Sequence, residues 1–179
     1  MFHSEDIKIA KLGENVLRLK AKKVKDIKSD ETQKIISTMV ETLKKSNGVG
    51  LAAPQISISK QIMIISSKPN VRYPNAPIMK DLVLINPKII KTSKKKNKDW
   101  EGCLSIPGIR AKVPRHNKIK VAYKTLENKK ETIVFKDFIA RIFQHEYDHL
   151  IGLAYIDRVK SNKDIISEEV YFKTIISQK

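Results

Sequence analysis

The pentapeptide His145-Glu146-Tyr147-Asp148-His149 constrains this chain more than any other feature. Residues four apart on an α-helix share a face, so both imidazoles can reach one metal ion only if the segment is helical. Glu146 stands beside that face, where its carboxylate can reach a water on the ion without binding the ion itself. A divalent ion lowers the pKa of such a water toward neutrality, and a neighbouring carboxylate can take up the proton. The implied chemistry is hydrolysis of an amide or a related carbonyl. Apolar Ile139, Ile142, Phe143 and Leu150 surround the motif, which predicts a largely apolar helix whose polar cluster needs partners. The bland alternative is an exposed helix with chance histidines, and the flanks weaken it.

A hydrolytic metal site also needs a third protein ligand and an open position. No His follows His149, so a downstream histidine ligand is excluded, but Asp157, Glu168 and Glu169 remain available. The upstream candidate is Cys103, the only cysteine. It cannot form an intrachain disulfide, and its ordinary role would be a small buried apolar residue. As a thiolate it would complete a Cys-His-His set.

At 179 residues the chain fits a single domain, 1–179, with room for a real core. Apolar residues at Ile35, Ile36, Met39, Val40 and Leu43 predict a first helix over 30–45, with Asp30 and Gln33 as a capping box and Asn47-Gly48 as its stop. Strands are predicted at 61–66, 82–86 and 88–93, with a Pro-containing loop at 68–80 and a charged turn at 94–98. A hairpin is predicted from 119–125 and 132–135, turning at Glu127-Asn128. The motif helix is predicted over 138–151, with Asp137 as N-cap and Gly152 as its stop. Residues 8–24 read as an arm anchored by Leu17 and Leu19, and 163–176 as a short amphipathic helix. Segregated strands and helices predict an α+β fold.

Composition excludes some classes. A hydrophobic fraction of 41% and a charged fraction of 31% are those of a globular protein. No run approaches the roughly 20 apolar residues of a membrane span, and the N-terminal segment has no signal-peptide pattern, so a cytoplasmic protein is expected. The formal net charge of +17 comes mostly from Lys. Guanidinium forks are supplied only by Arg18, Arg72, Arg110, Arg115, Arg141 and Arg158. Both a solvated Lys surface and a polyanion-facing patch remain open.

Three segments carry a resemblance. Gly48-Val49-Gly50-Leu51-Ala52-Ala53-Pro54-Gln55, Glu101-Gly102-Cys103-Leu104-Ser105-Ile106-Pro107-Gly108 and Gln144-His145-Glu146-Tyr147-Asp148-His149-Leu150 resemble, in order, the three signatures of the peptide deformylases. These enzymes remove the N-formyl group from the initiating methionine of new proteins. The resemblance implies small antiparallel or mixed β-sheets around a central helix, with an N-terminal and a short C-terminal helix. It implies Cys103, His145 and His149 as metal ligands and Glu146 as general base and then acid. The backbone N–H of Leu104 and the side-chain amide of Gln55 would steady the oxyanion. Val49, Phe138 and Ile142 would wall the methionine pocket, with Glu101 at its rim and Arg110 near the substrate channel. Gly50 would let the substrate backbone approach closely. Arg115 is expected to be structural, pairing with Glu101, and Asp148 to accept from a ligand imidazole.

The implied metal is ferrous iron, one per chain, replaceable by zinc, nickel or cobalt. The implied partners are nascent formyl-methionyl polypeptides, with a transient ribosome contact left open and no DNA or membrane. Two other readings compete: a small zinc peptidase with an acidic third ligand, and a basic RNA-binding protein with an accidental motif.

Overall fold

The computed structural model describes residues 8–46 and 48–177. The N-terminal segment (1–7) and the predicted stop at Asn47 lie outside them. Helix α1 (Asp30–Ser46) follows its apolar stripe, burying Ile35, Ile36, Met39 and Leu43. Each such burial contributes roughly 1.5–3 kcal/mol. The predicted capping box is replaced by a neighbour. Ser29 Oγ accepts from the Thr32 N–H at 3.3 Å, while the Gln33 amide turns back to the Ile27 carbonyl at 2.7 Å. Asp30 falls inside the first turn, where its charge still complements the helix dipole.

Two antiparallel sheets follow. The larger has the order β1-β2-β3-β6-β7, from Gly50–Ala52, Ile62–Ser67, Met79–Thr92, Lys118–Lys124 and Lys130–Lys136. The smaller joins β4 (Lys96–Cys103), β5 (Ile106–His116) and β8 (Ile165–Ser167). Helix α2 (Asp137–Leu150) packs on β1, β2, β5 and β7 and so bridges the sheets. One face of the large sheet buries Met63, Ile65, Leu84, Val121 and Phe135 with Phe143 of α2. Ile62, Ile64 and Ile85 pack with α1. A third cluster gathers Cys103, Ile106, Val113 and Tyr155.

The structure departs from expectation at several points. The strands predicted at 82–86 and 88–93 are one strand, β3, interrupted by a register shift between Ile85 and Lys88. Asn86 adopts φ 50° there, and its amide exchanges hydrogen bonds with the Val24 backbone at 2.9 and 2.8 Å. Lys96–Lys98, expected in a turn, belong to β4. Neither β4 nor β5 was expected, because their inward positions include Glu101, Arg110 and Arg115, which break the apolar alternation that marks a strand. Leu17 is buried as expected, but Leu19 is exposed.

Asp137 does not cap α2: it is the first helical residue, at φ 47°, and Lys136 occupies the cap position with no side-chain bond. Gly152 does stop the helix, at φ 78°, where a Cβ would lie 2.5 Å from the Arg18 carbonyl oxygen. The C-terminal segment is only partly helical. Residues 165–167 pair as β8 with β5, and Ser167 Oγ then caps α3 (Glu168–Tyr171), which continues as a π-type turn, Phe172–Ile176.

Candidate metal centre

Strand β4 ends on Glu101 and Cys103, and α2 brings Arg141, His145, Glu146 and His149 against it. Cys103 Sγ lies 3.3 Å from His149 Nε2. Ligand atoms of Cys103, His145 and His149 all fall within 4.8 Å of one another. All three residues are buried. Atoms coordinating one ion tetrahedrally at about 2.0–2.3 Å stand roughly 3.3–3.8 Å apart, so modest rotation would close the set on a single ion. Burial alone would raise the Cys103 thiol, yet the His149 and His145 imidazoles hold it well below its ordinary range. A thiolate with two imidazoles is the donor set of zinc and similar cations.

His145 Nδ1 lies 2.9 Å from Glu101 Oε2, which leaves Nε2 for the metal. Glu101 lines the wall of a cleft and also lies in the interior behind it. It is 3% exposed, and two guanidiniums converge on it. Arg115 donates to both its oxygens at 2.9 and 3.0 Å, as the sequence suggested, and Arg141 adds a bond of 2.7 Å. Burial opposes ionisation of this carboxyl, but Arg115 and His145 hold it far below the usual carboxylate range. The acceptor that orients a metal ligand is thus Glu101. Asp148, expected in that role, instead accepts from Arg115 at 2.6 Å and Arg158 at 2.7 Å.

Glu146 is buried, and its Oε2 has no hydrogen-bond partner among the described residues. Burial pushes its pKa up to about 7, against the lowering influence of His145 and His149. Its carboxylate packs on Gly50, where a Cβ would lie 2.5 Å from Oε1 and 2.8 Å from Cγ. The close approach that requires glycine at this position is made by Glu146. Gly50→Ala is therefore expected to displace the carboxylate and reduce turnover at least ~100-fold, while metal content stays near that of the parent. Measured kcat and metal stoichiometry check this, and an alanine variant with near-parental kcat would contradict it.

Gln55 is oriented from both ends. Its Oε1 accepts from the Ala52 N–H at 2.9 Å, and Nε2 is thereby aimed at Cys103 Sγ (3.5 Å) and Ser105 Oγ (3.3 Å). A small open cleft, continuous with solvent, is lined by Val49, Gly50, Gln55, Glu101, Cys103, Leu104, Phe138, Ile142, His145 and Glu146. His149 lies behind that wall, fully buried.

Arg110 does not line the cleft. It is 1% exposed, bonded to Glu168 at 2.8 Å and to the Tyr73 hydroxyl at 3.2 Å, with Tyr171 stacked beside its guanidinium. Four lining residues outside the three signature segments had not been anticipated: Arg72, Tyr73, Trp100 and Arg141. Tyr73 reaches the cleft from the Pro-containing loop and meets the Phe138 ring at 5.2 Å, a contact without local sequence signal. Arg141 did have a signal, since it stands four residues before His145 on the same helical face.

A buried thiolate and two imidazoles, next to an unpartnered carboxylate at the wall of a cleft, define a mononuclear metallohydrolase site. Residues 7–164 match the family described as polypeptide deformylase. Peptide deformylase 2 of Nostoc sp. is 47% identical over 167 residues, covering 93% of each chain. The structure of a class I type b peptide deformylase from Acinetobacter baumannii with Met-Ala-Ser bound superposes with a TM-score of 0.85 at 42% identity, covering 88% of this chain and 100% of that one. A Synechococcus elongatus peptide deformylase in complex with actinonin gives 0.79 at 36% identity, over 92% and 85%. The chain belongs to the polypeptide deformylase family and is a hydrolase.

Proposed function

We propose that this chain, acting as one catalytic domain over 1–179, hydrolyses the formyl amide of formyl-methionyl peptides with Glu146 as the proton carrier. Removal of the N-formyl group from nascent peptides is the reaction of its family, and the buried, unpartnered carboxylate beside the Cys-His-His set is the observation that carries the mechanism. Cys103 Sγ and the Nε2 atoms of His145 and His149 would hold the ion, which when bound would supply Lewis acidity and a water of lowered pKa. Glu146 takes the proton from the attacking water and delivers it to the departing amine nitrogen, a double duty open to a buried carboxyl whose Oε2 has no hydrogen-bond partner among the described residues. The Gln55 Nε2–H and the Leu104 N–H steady the charge that grows on the formyl oxygen. Val49, Phe138 and Ile142 receive the methionine side chain, whose flexible thioether fits an irregular apolar wall. Arg110 acts on the substrate channel only indirectly, by holding Tyr73.

The test is formate release from a formyl-Met-Ala-Ser peptide by anaerobically purified protein loaded with ferrous iron. Rapid release supports the reading. No release from folded, metal-loaded protein overturns it.

The resident ion is proposed to be ferrous iron, with nickel, cobalt or zinc able to replace it in a thiolate-imidazole set. Iron beside a thiolate invites oxidation of both metal and Cys103. In air the iron form is expected to lose activity within minutes to hours while the nickel form persists. Equal survival of the two in a timed activity assay would overturn this expected oxygen sensitivity.

The proposed setting is the cytoplasm, with nascent chains as substrate. No helix among the described residues is long and apolar enough to cross a membrane.

A further inference from the structure

The face of the large sheet that packs against α1 is apolar at one end and cationic at the other. Ile62 pairs with Ile85, Ile85 with Lys124 and Lys124 with Lys130, so one row runs from the α1 core out to half-buried Lys124 and exposed Lys130. Beyond α1 the same face carries three rungs of directly opposed lysines: Lys91 with Lys120, Lys118 with Lys136, and Lys124 with Lys130. Like charges directly opposite one another destabilise a sheet. A merely solvated face would intersperse acids, yet between these rungs stand Ala122, Thr132 and Val134 on β6 and β7 and a further lysine, Lys88, opposite Ala122 on β3. Glu131 pairs with Tyr123 and lies on the other face, where it accepts that tyrosine's hydroxyl at 2.9 Å. None of the six lysines forms an ion pair among the described residues. Lys124 Nζ donates to Asn128 Oδ1.

We propose that this lysine face is a docking surface for the phosphate backbone of structured RNA. A flat array of ammonium groups with no aromatic residue between them suits phosphate contacts without base readout. Its exposed apolar side chains are scattered singly, Val134 among the lysines with Ile90 and Leu126 at the borders, and no Trp or Phe stands among the rungs to anchor an anionic membrane surface. The choice of RNA rests on the deformylase reading, since nascent chains are presented on an RNA-rich particle. The six lysines lie outside the metal cleft, so docking leaves the catalytic groups free.

The experiment compares metal-loaded full-length protein with two triple variants of equal charge change. One is Lys118→Gln/Lys120→Gln/Lys136→Gln on the face; the other is Lys20→Gln/Lys160→Gln/Lys163→Gln, exposed lysines away from that face. Binding to a fluorescent RNA hairpin of arbitrary sequence is followed by anisotropy across a salt series. The face variant is expected to bind at least ~10-fold more weakly, and its salt slope should be shallower by about 0.9 for each phosphate it no longer neutralises. The control should weaken by no more than about threefold. Formate release from a short formyl peptide should be unchanged in both, which separates docking from catalysis, and the face variant should melt no lower than the parent. Equal weakening in the two variants would reduce the effect to net charge and overturn the proposal. So would absence of RNA binding by the parent, or face-dependent binding to phosphatidylserine vesicles but not to RNA.

Discussion

Glu146→Gln is expected to lower kcat by about 10³-fold and to leave one metal ion bound per chain. General acid–base catalysis by a positioned carboxyl contributes roughly 10²–10⁴-fold, and the amide keeps the carboxylate's shape against Gly50 while losing its proton chemistry. Glu146 is not among the three clustered ligand residues, so the metal has no reason to leave. The fold should tolerate the change well. A buried carboxylate oxygen with no hydrogen-bond partner opposes folding, and an amide in its place is the cheaper group to bury. The metal-free variant should therefore melt no lower than the metal-free parent. Formate release, metal content by elemental analysis and thermal melting together make the test. A variant within about tenfold of the parent in kcat would show that another group carries the proton; loss of the ion would place Glu146 among the ligands instead.

The chemistry was more legible in the sequence than the strands that deliver it. His145, Glu146 and His149 are local to one helix, so periodicity alone put them on adjoining faces. Cys103 is separated from His149 by |i−j| = 46, and from the residues alone it was one candidate among several third ligands. It is brought there by β4, whose inward side chains are charged and gave no strand pattern. The same reason hid the role of Glu101. Reading its neighbourhood required knowing that Arg115 from β5 and Arg141 from α2 meet it in the interior. Paired charges in a core look, in sequence, like surface. Gly50 shows the reverse case: sequence pointed to a close approach there, and only the structure identified Glu146 as the group that approaches.

Arg115→Met is expected to destabilise the protein by about 3–5 kcal/mol, the cost of removing one partner from a buried ionic cluster. Arg115 is 4% exposed and holds two carboxylates at once, Glu101 through Nε and Nη2 and Asp148 through Nη1. Methionine fills some of the space but leaves Glu101 with only Arg141 and His145, and Asp148 with only Arg158, whose side chain is 41% exposed. A loss of that size lowers the melting midpoint by roughly 10 °C in a chain of this length. The effect should also reach the metal, because Glu101 orients His145 through the 2.9 Å contact at Nδ1. Partners of this kind change metal affinity about 10–100-fold when removed. Arg141→Met, which leaves the bidentate Arg115–Glu101 pair intact, should cost less in metal affinity but comparably in melting, because Arg141 also donates to the Asp99, Val113 and Asn97 carbonyls. Arg158→Met should cost least, since its partner Asp148 keeps Arg115. Thermal melting and metal competition against a chelator, run on all three variants, give the ranking. If Arg158→Met proved as damaging as Arg115→Met, the cluster would be held from its exposed end, and control of His145 would have to be sought outside the Glu101–Arg115 pair.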